Sequence, residues 1–207
     1  RAVLEHCRLE WRLIAANPIS DVRKPHSGAA RDQRVSDDEA NWICIALGFD
    51  QEAPEIRLKK QRVAVAFLLA IETAMRCGEI CTLTWDQVHV GQRYVHLDKT
   101  KNGDKRDVPL SRRAIELIEL LRDWRCEGED RVLGLTSQQV DSQFRPARDK
   151  AGMRHIVFHD SRHEATTRLA EKLKDVLTLA RVTGHRDPRS LMVYFNKSAS
   201  DIADALD

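Results

Sequence analysis

Residues 60–83 read KQRVAVAFLLAIETAMRCGEICTL. From Val63 to Ile71 the run is apolar all round. That predicts a helix over residues 60–75 that is wrapped by other elements and central to the core. The run is too short to span a bilayer, and Glu72 breaks it. Arg76 lies where this helix ends, and Gly78 permits a sharp turn into a short helix over about 78–83. An arginine at such a place can aim its planar fork at a phosphate. It can equally pair with Glu79, three residues on.

Beyond this helix the period changes. Val88, Val90, Tyr94, His96 and Val108 suggest two or three short strands within residues 86–109, with Asn102-Gly103 as a hairpin turn. Helices are expected again at about 111–125, 137–151, 159–172, 175–183 and 188–195, and a last one over 199–206. Upstream, Ser36-Asp-Asp-Glu39 has the spacing of a capping box and opens a helix to about Leu47. A polar loop follows to about Arg57. The expected fold is mainly α with a small antiparallel β-sheet (α+β).

Val3, Leu4, Cys7, Trp11 and Ile14 place a further helix over residues 2–16, which Asn17-Pro18 stops. Residues 17–34 lack an apolar period and carry Arg23, Lys24, Arg31 and Arg34, so they read as an extended basic linker. The chain thus divides into 1–16, 17–34 and 35–207. It starts at Arg1 without a Met, which suggests a piece of a longer protein. Its 42% hydrophobic content rules out wholesale disorder. The net charge of +2 means that any basic surface must be local. Five cysteines without a C-x-x-C pair exclude a disulfide framework and fit reduced thiols in a cytoplasmic setting.

Three later segments join Arg76 as candidates for chemistry. Lys101 sits at the predicted hairpin tip, from which it can reach out to a phosphate, although loop tips commonly carry lysines for solubility. Lys99 and Lys105 compete for the same role. His159 and Arg162 fall three apart near a helix start, so they share a face where a phosphate meets helix amides as well. His159 and His163 also have metal-pair spacing, but no cysteine or carboxylate cluster completes such a site. Gly184 reads as a helix C-cap and Pro188 as the opening of the next helix. That leaves His185 on a loop, with Tyr194 nine residues later beside Phe195. A lone tyrosine there is more often a core residue.

Taken in order, Arg-x-x-Glu, a hairpin Lys, His-x-x-Arg, Gly-His and a late Tyr resemble the tyrosine recombinase (phage-type integrase) family. The pieces MRCGEICTLTW, HDSRHEATTRLA, and TGHRD followed by YFN carry the resemblance over about residues 35–195. LEWRLIAANPISDV resembles the last helix of that family's core-binding domain and the start of its linker.

The resemblance implies the tyrosine recombinase catalytic-domain fold and site-specific recombination of DNA. Tyr194 would attack a phosphodiester, forming a 3′-phosphotyrosine and freeing a 5′-hydroxyl. Arg76 and Arg162 would hold the phosphate oxygens, and His185 would hydrogen-bond a non-bridging oxygen. His159 would serve as base and Lys101 as general acid, with Glu79 in support. Arg23, Lys24, Arg31, Arg34, Lys99, Lys105 and Arg106 are candidate DNA contacts. No metal and no cofactor are expected. The implied partners are a double-stranded recombination site, a homotetramer formed on DNA by a chain monomeric in isolation, and accessory DNA-bending proteins or an excisionase. No membrane is involved, and the chain would be cytoplasmic and bacterial or phage-encoded. The rival readings are a type IB topoisomerase-like relaxase, a non-catalytic DNA-binding protein on this fold, and a metal-dependent nuclease.

Overall fold

The computed structural model describes residues 2–23, 33–98, 105–124 and 130–195. It divides into two compact units, residues 1–32 and 33–207. In the first, helix α1 spans Ala2–Leu9 and buries no residue. This is shorter than the helix expected over 2–16. The chain leaves it through Arg12 at φ 52°, and Asn17 Nδ2 then donates to Glu5 Oε2 at 2.9 Å. That bond folds the following segment back along the helix. The turn at Asn17–Ser20 likewise replaces fully extended chain at the start of the expected linker.

The second unit is built around one helix, α3 (Lys59–Thr73), in which every residue from Arg62 to Ile71 is buried. Helices α5 (Arg112–Glu119), α6 (Ser137–Lys150) and α7 (Asp160–Leu173) pack around it. Phe67 of α3 meets Phe144 and Phe158 with ring centroids 4.9 and 5.6 Å apart. Helix α2 (Asp37–Ala46) opens with the expected capping box of Ser36 and Glu39. Gln61 caps α3 by accepting from the amides of Arg57 and Leu58, at 2.7 and 2.8 Å.

Helix α3 ends on Ala74 in the left-handed region, φ 55°. The sharp turn therefore falls at Ala74, and Gly78, expected to make it, is an ordinary residue of α4 (Cys77–Thr82). A three-stranded antiparallel sheet follows: β1 (Val88–His89), β2 (Tyr94–Leu97) and β3 (Arg106–Pro109), in that order. Strand alternation turns Val95, Leu97, Arg106 and Val108 inward. The Asn102-Gly103 turn and the helix expected over 199–206 lie outside the described residues.

Helix α8 (Val176–Thr183) is capped by Asp175, whose carboxylate accepts from the amides of Leu177 and Thr178. It closes a second, smaller apolar cluster made by Ala170, Leu179, Ala180 and Leu191. The last described segment, Pro188–Phe195, is a 3-10 helix rather than an α-helix. Among the described residues, no helix is long and apolar enough to cross a membrane.

Candidate active site

The end of α3, the start of α7, strand β3 and the end of α8 meet where the candidate residues lie. Arg76 is the N-cap residue of α4. Its amide donates to Glu79 Oε2 at 2.8 Å, and its Nη1 donates to Glu79 Oε1 at 2.9 Å. The pairing with Glu79 that the spacing allowed is therefore present, yet it leaves most of the guanidinium's donors available.

Glu79 does more than hold Arg76. Its two oxygens also receive Arg106 Nη1 and Nη2, at 2.9 and 2.8 Å, in a buried fork-on-fork pair. Arg106 Nε donates to the carbonyl of Val182 at 3.1 Å, which ties β3 to α8. Arg106, expected among the DNA contacts, has its guanidinium buried and paired with Glu79. The signal was available in the sequence. Val108 faces the core, so Arg106, two residues earlier on the strand, must face it too.

Burial acts to raise the Glu79 carboxyl. Hydrogen bonds from Arg106 and from the Arg76 amide overcome it and bring Glu79 down to about 2. A carboxylate depressed in the fold contributes stability that is present above its unfolded value and lost as pH falls through the folded one. Wild-type stability is therefore expected to decline between about pH 4.5 and 2 from this group. Glu79→Gln should flatten that decline. At pH 7, Glu79→Ala should cost about 3–5 kcal/mol, because it strands the buried Arg106 charge. Urea midpoints at pH 7 and pH 3 check both points, and an unchanged acid decline in the glutamine variant would refute the linkage.

Arg162 is 4% exposed. Its Nη1 donates to the carbonyl of Ala74, and its Nη2 donates to that of Thr183 at 2.6 Å. Ala74 is the left-handed residue that ends α3, so this arginine ties α3, α7 and α8 together at the site. Burial, then the nearby charge of Arg76, lowers Arg162 to about 10, while Glu79 opposes the fall. The guanidinium stays charged at neutral pH.

His159 stands at the N-terminus of α7 with an exposed edge. Burial lowers its pKa first, followed by Arg162 and Arg76, with Asp160 opposing. His185 follows Gly184, which caps α8 at φ 70°. A Cβ on Gly184 would sit 2.8 Å from Arg106 Nη1, so only glycine admits both that backbone and the buried arginine. Burial, then Arg162, Arg76 and Arg106, bring His185 down to about 4. Both rings are accordingly held in the neutral form near pH 7.

Tyr194 is half-buried against the second apolar cluster. In a 3-10 helix, residues three apart share a face. Leu191, fully buried, therefore anchors the side on which Tyr194 lies. The Tyr194 ring packs on His163 of α7, centroids 5.3 Å apart, and a phenolate there would stabilise the Arg162 charge.

The remaining expected residues fall elsewhere. Lys101 and Lys99, like Lys24 and Arg31, lie outside the described residues. Lys105 is exposed, 3.9 Å from Asp98. Arg23 is exposed in the first unit. Arg34, expected in the basic linker, is paired and partly exposed. Its Nε and Nη2 donate to Glu164 at 2.6 and 3.1 Å, fastening the start of the second unit onto α7. Among the described residues, no group of three or more His, Cys, Asp or Glu is arranged to hold a metal ion.

This geometry gathers Arg76, Arg106 and Arg162 near the carboxylate of Glu79, with two neutral histidines beside them. Such a site is built for an anion.

Solved structures share the fold. The XerA recombinase structure matches at a TM-score of 0.63 and 16% identity, over 98% of this chain and 72% of that one. A lambda integrase dimer bound to a COC′ core site matches at 0.66 and 22%, over 93% and 57%. The fold is that of the tyrosine recombinase catalytic domain. The chain belongs to the phage integrase family, whose model matches residues 51–201. A Haemophilus influenzae protein named as an integrase/recombinase is 40% identical over 182 residues, 86% of this chain and 49% of that protein. The shufflon-specific DNA recombinase of Escherichia coli is 33% identical over 201 residues, 97% and 49%. The chain spans about half the length of these two relatives.

Proposed function

We propose that residues 35–207 form the catalytic domain of a site-specific DNA recombinase. It cleaves and rejoins DNA through a 3′-phosphotyrosine on Tyr194. The observation that carries this reading is the convergence of Arg76, Arg162, His159, His185 and Tyr194 from three separate stretches of sequence onto one positive site.

Each side chain has a role that its surroundings support. Arg162, charged and fixed by two carbonyls, holds two oxygens of the phosphate without reorganising as charge develops there. Arg76 holds the third side from its half-open position. A free phenol has a pKa of about 10, so Tyr194 needs an acceptor for its proton. His159, neutral at pH 7, is that acceptor. The Tyr194 oxygen attacks phosphorus, the bond to the 5′ oxygen breaks, and Lys101 protonates the leaving 5′-hydroxyl. His185 donates to a non-bridging oxygen. Attack by the 5′-hydroxyl of a partner strand reverses these steps and releases the tyrosine.

The proposed partner is a double-stranded recombination site, on which four subunits join two duplexes. Strand exchange passes through a Holliday junction. The relatives named for DNA recombination support this substrate class. Accessory DNA-bending proteins or an excisionase would set its direction. Residues 1–16 and 17–34 are proposed as the last helix of a core-binding domain and its linker.

Nicked duplexes tiling the DNA that flanks the coding gene test the reading. Where a nick lets the 5′-hydroxyl strand diffuse away, a covalent protein–DNA complex should accumulate. The protein should be joined to the DNA 3′ end, and a chelator should leave the yield unchanged. A 5′ linkage, or cleavage lost on adding the chelator, would contradict the proposal.

A further inference from the structure

Glu79 is buried, and its carboxylate is shared between two arginines. Oε1 accepts from Nη1 of Arg76 and Nη1 of Arg106, both at 2.9 Å. Oε2 accepts from the Arg76 amide and Nη2 of Arg106, both at 2.8 Å. A carboxylate offers about four lone-pair sites, so all of them are filled. Arg106 gives its planar fork, whereas Arg76 gives one side-chain nitrogen and its backbone amide. Among the described residues, Nε and Nη2 of Arg76 have no hydrogen-bond partner.

This division decides which way Arg76 can act. A buried carboxylate with open lone pairs is strongly destabilised, so it takes any donor within reach. Arg76 is already bonded to Glu79 and is the donor best placed to replace Arg106. Without Arg106, a second Arg76 nitrogen would turn onto Glu79, making the forked pair that arginine and carboxylate favour. A guanidinium gripped in that way has fewer donors left for an anion outside.

We propose that Arg106 is a positioning residue: by filling half of the Glu79 carboxylate, it leaves Arg76 held through one side-chain nitrogen and free to meet the phosphate with the others. The assignment rests on the recombinase reading of the site. Arg106 is buried and touches no substrate in this role; it acts through Arg76. A purely structural role is also present in the geometry, because Arg106 Nε donates to the Val182 carbonyl at 3.1 Å and ties β3 to α8. The two roles differ in one respect. Only the first depends on the charge of Glu79.

A double-variant cycle separates them. Arg106→Met alone should slow covalent-complex formation on nicked DNA by about 100-fold, the worth of one preorganised donor, because Arg76 is drawn onto Glu79. In a Glu79→Gln background, which removes the competing charge, the same change should alter the rate by about twofold or less. Arg106→Lys keeps the buried charge but lacks the fork, so its rate should fall between those of the wild type and Arg106→Met. Thermal melting identifies the folded variants, and where Arg106→Met is too unstable, Arg106→Lys replaces it in both backgrounds. A crystal structure of the folded single variant, without DNA, should show a second Arg76 nitrogen on Glu79.

An equal loss of rate in both backgrounds would make Arg106 a structural tie alone and overturn the assignment. An unchanged rate in the single variant, or an Arg76 that keeps its one side-chain bond in the variant structure, would overturn it too. If the wild type forms no covalent complex at all, the recombinase reading fails instead, and the variant structure still decides whether Arg106 holds Arg76 off Glu79.

Discussion

Arg76→Ala and Arg162→Ala should each slow covalent-complex formation by about 100- to 1,000-fold, and only the second should also weaken the fold. The rate loss is that of removing one preorganised donor from developing charge. The difference in stability comes from what else each arginine holds. When Arg76 is removed, Glu79 keeps Arg106 on both of its oxygens. When Arg162 is removed, the carbonyls of Ala74 and Thr183 lose a charged donor in a buried place. Hydrogen bonds of that kind are worth about 1.5–3 kcal/mol each, so the melting temperature should fall by several degrees. Lysine at either position should rescue the rate poorly, since it cannot present two parallel donors. Single-turnover rates on nicked DNA, set beside melting curves, check the pair. Normal cleavage by either alanine variant would remove that arginine from the site.

Much of this arrangement can be read from the sequence because its parts are local. The all-apolar run of α3, the Ser36 capping box and the Gly184 cap each depend on residues within a few positions of one another. The candidate motifs are local in the same sense: each is a short segment with its own spacing. What the sequence hides is chiefly long-range. Glu79 faces Arg106, 27 residues away in the chain, and Arg34 reaches Glu164, 130 residues on. Neither partner is visible from local spacing, although strand alternation with Val108 marks Arg106 as inward-facing.

Two differences have a different origin. The α3 turn uses Ala74 because the buried Arg162 binds the carbonyl that the turn exposes, and Gly78 drew attention only by its residue type. Helix α1 stops early because Asn17 returns to Glu5, a contact that no helical periodicity encodes.

The central claim is that Tyr194 is the nucleophile. The chain has two tyrosines. Tyr94 is in β2, where its ring packs on His89 with centroids 4.6 Å apart. Tyr194 rides on the Leu191 anchor with its ring against His163. Tyr194→Phe removes one oxygen and little packing, so the variant should fold and bind DNA. The most direct measurement digests the covalent complex formed on nicked DNA and identifies the nucleotide-linked peptide by mass spectrometry, for the wild type, Tyr194→Phe and Tyr94→Phe. The linkage should fall on Tyr194 in the wild type and in Tyr94→Phe, and Tyr194→Phe should form no complex. A covalent complex from Tyr194→Phe, or a linkage on any other residue, would contradict it.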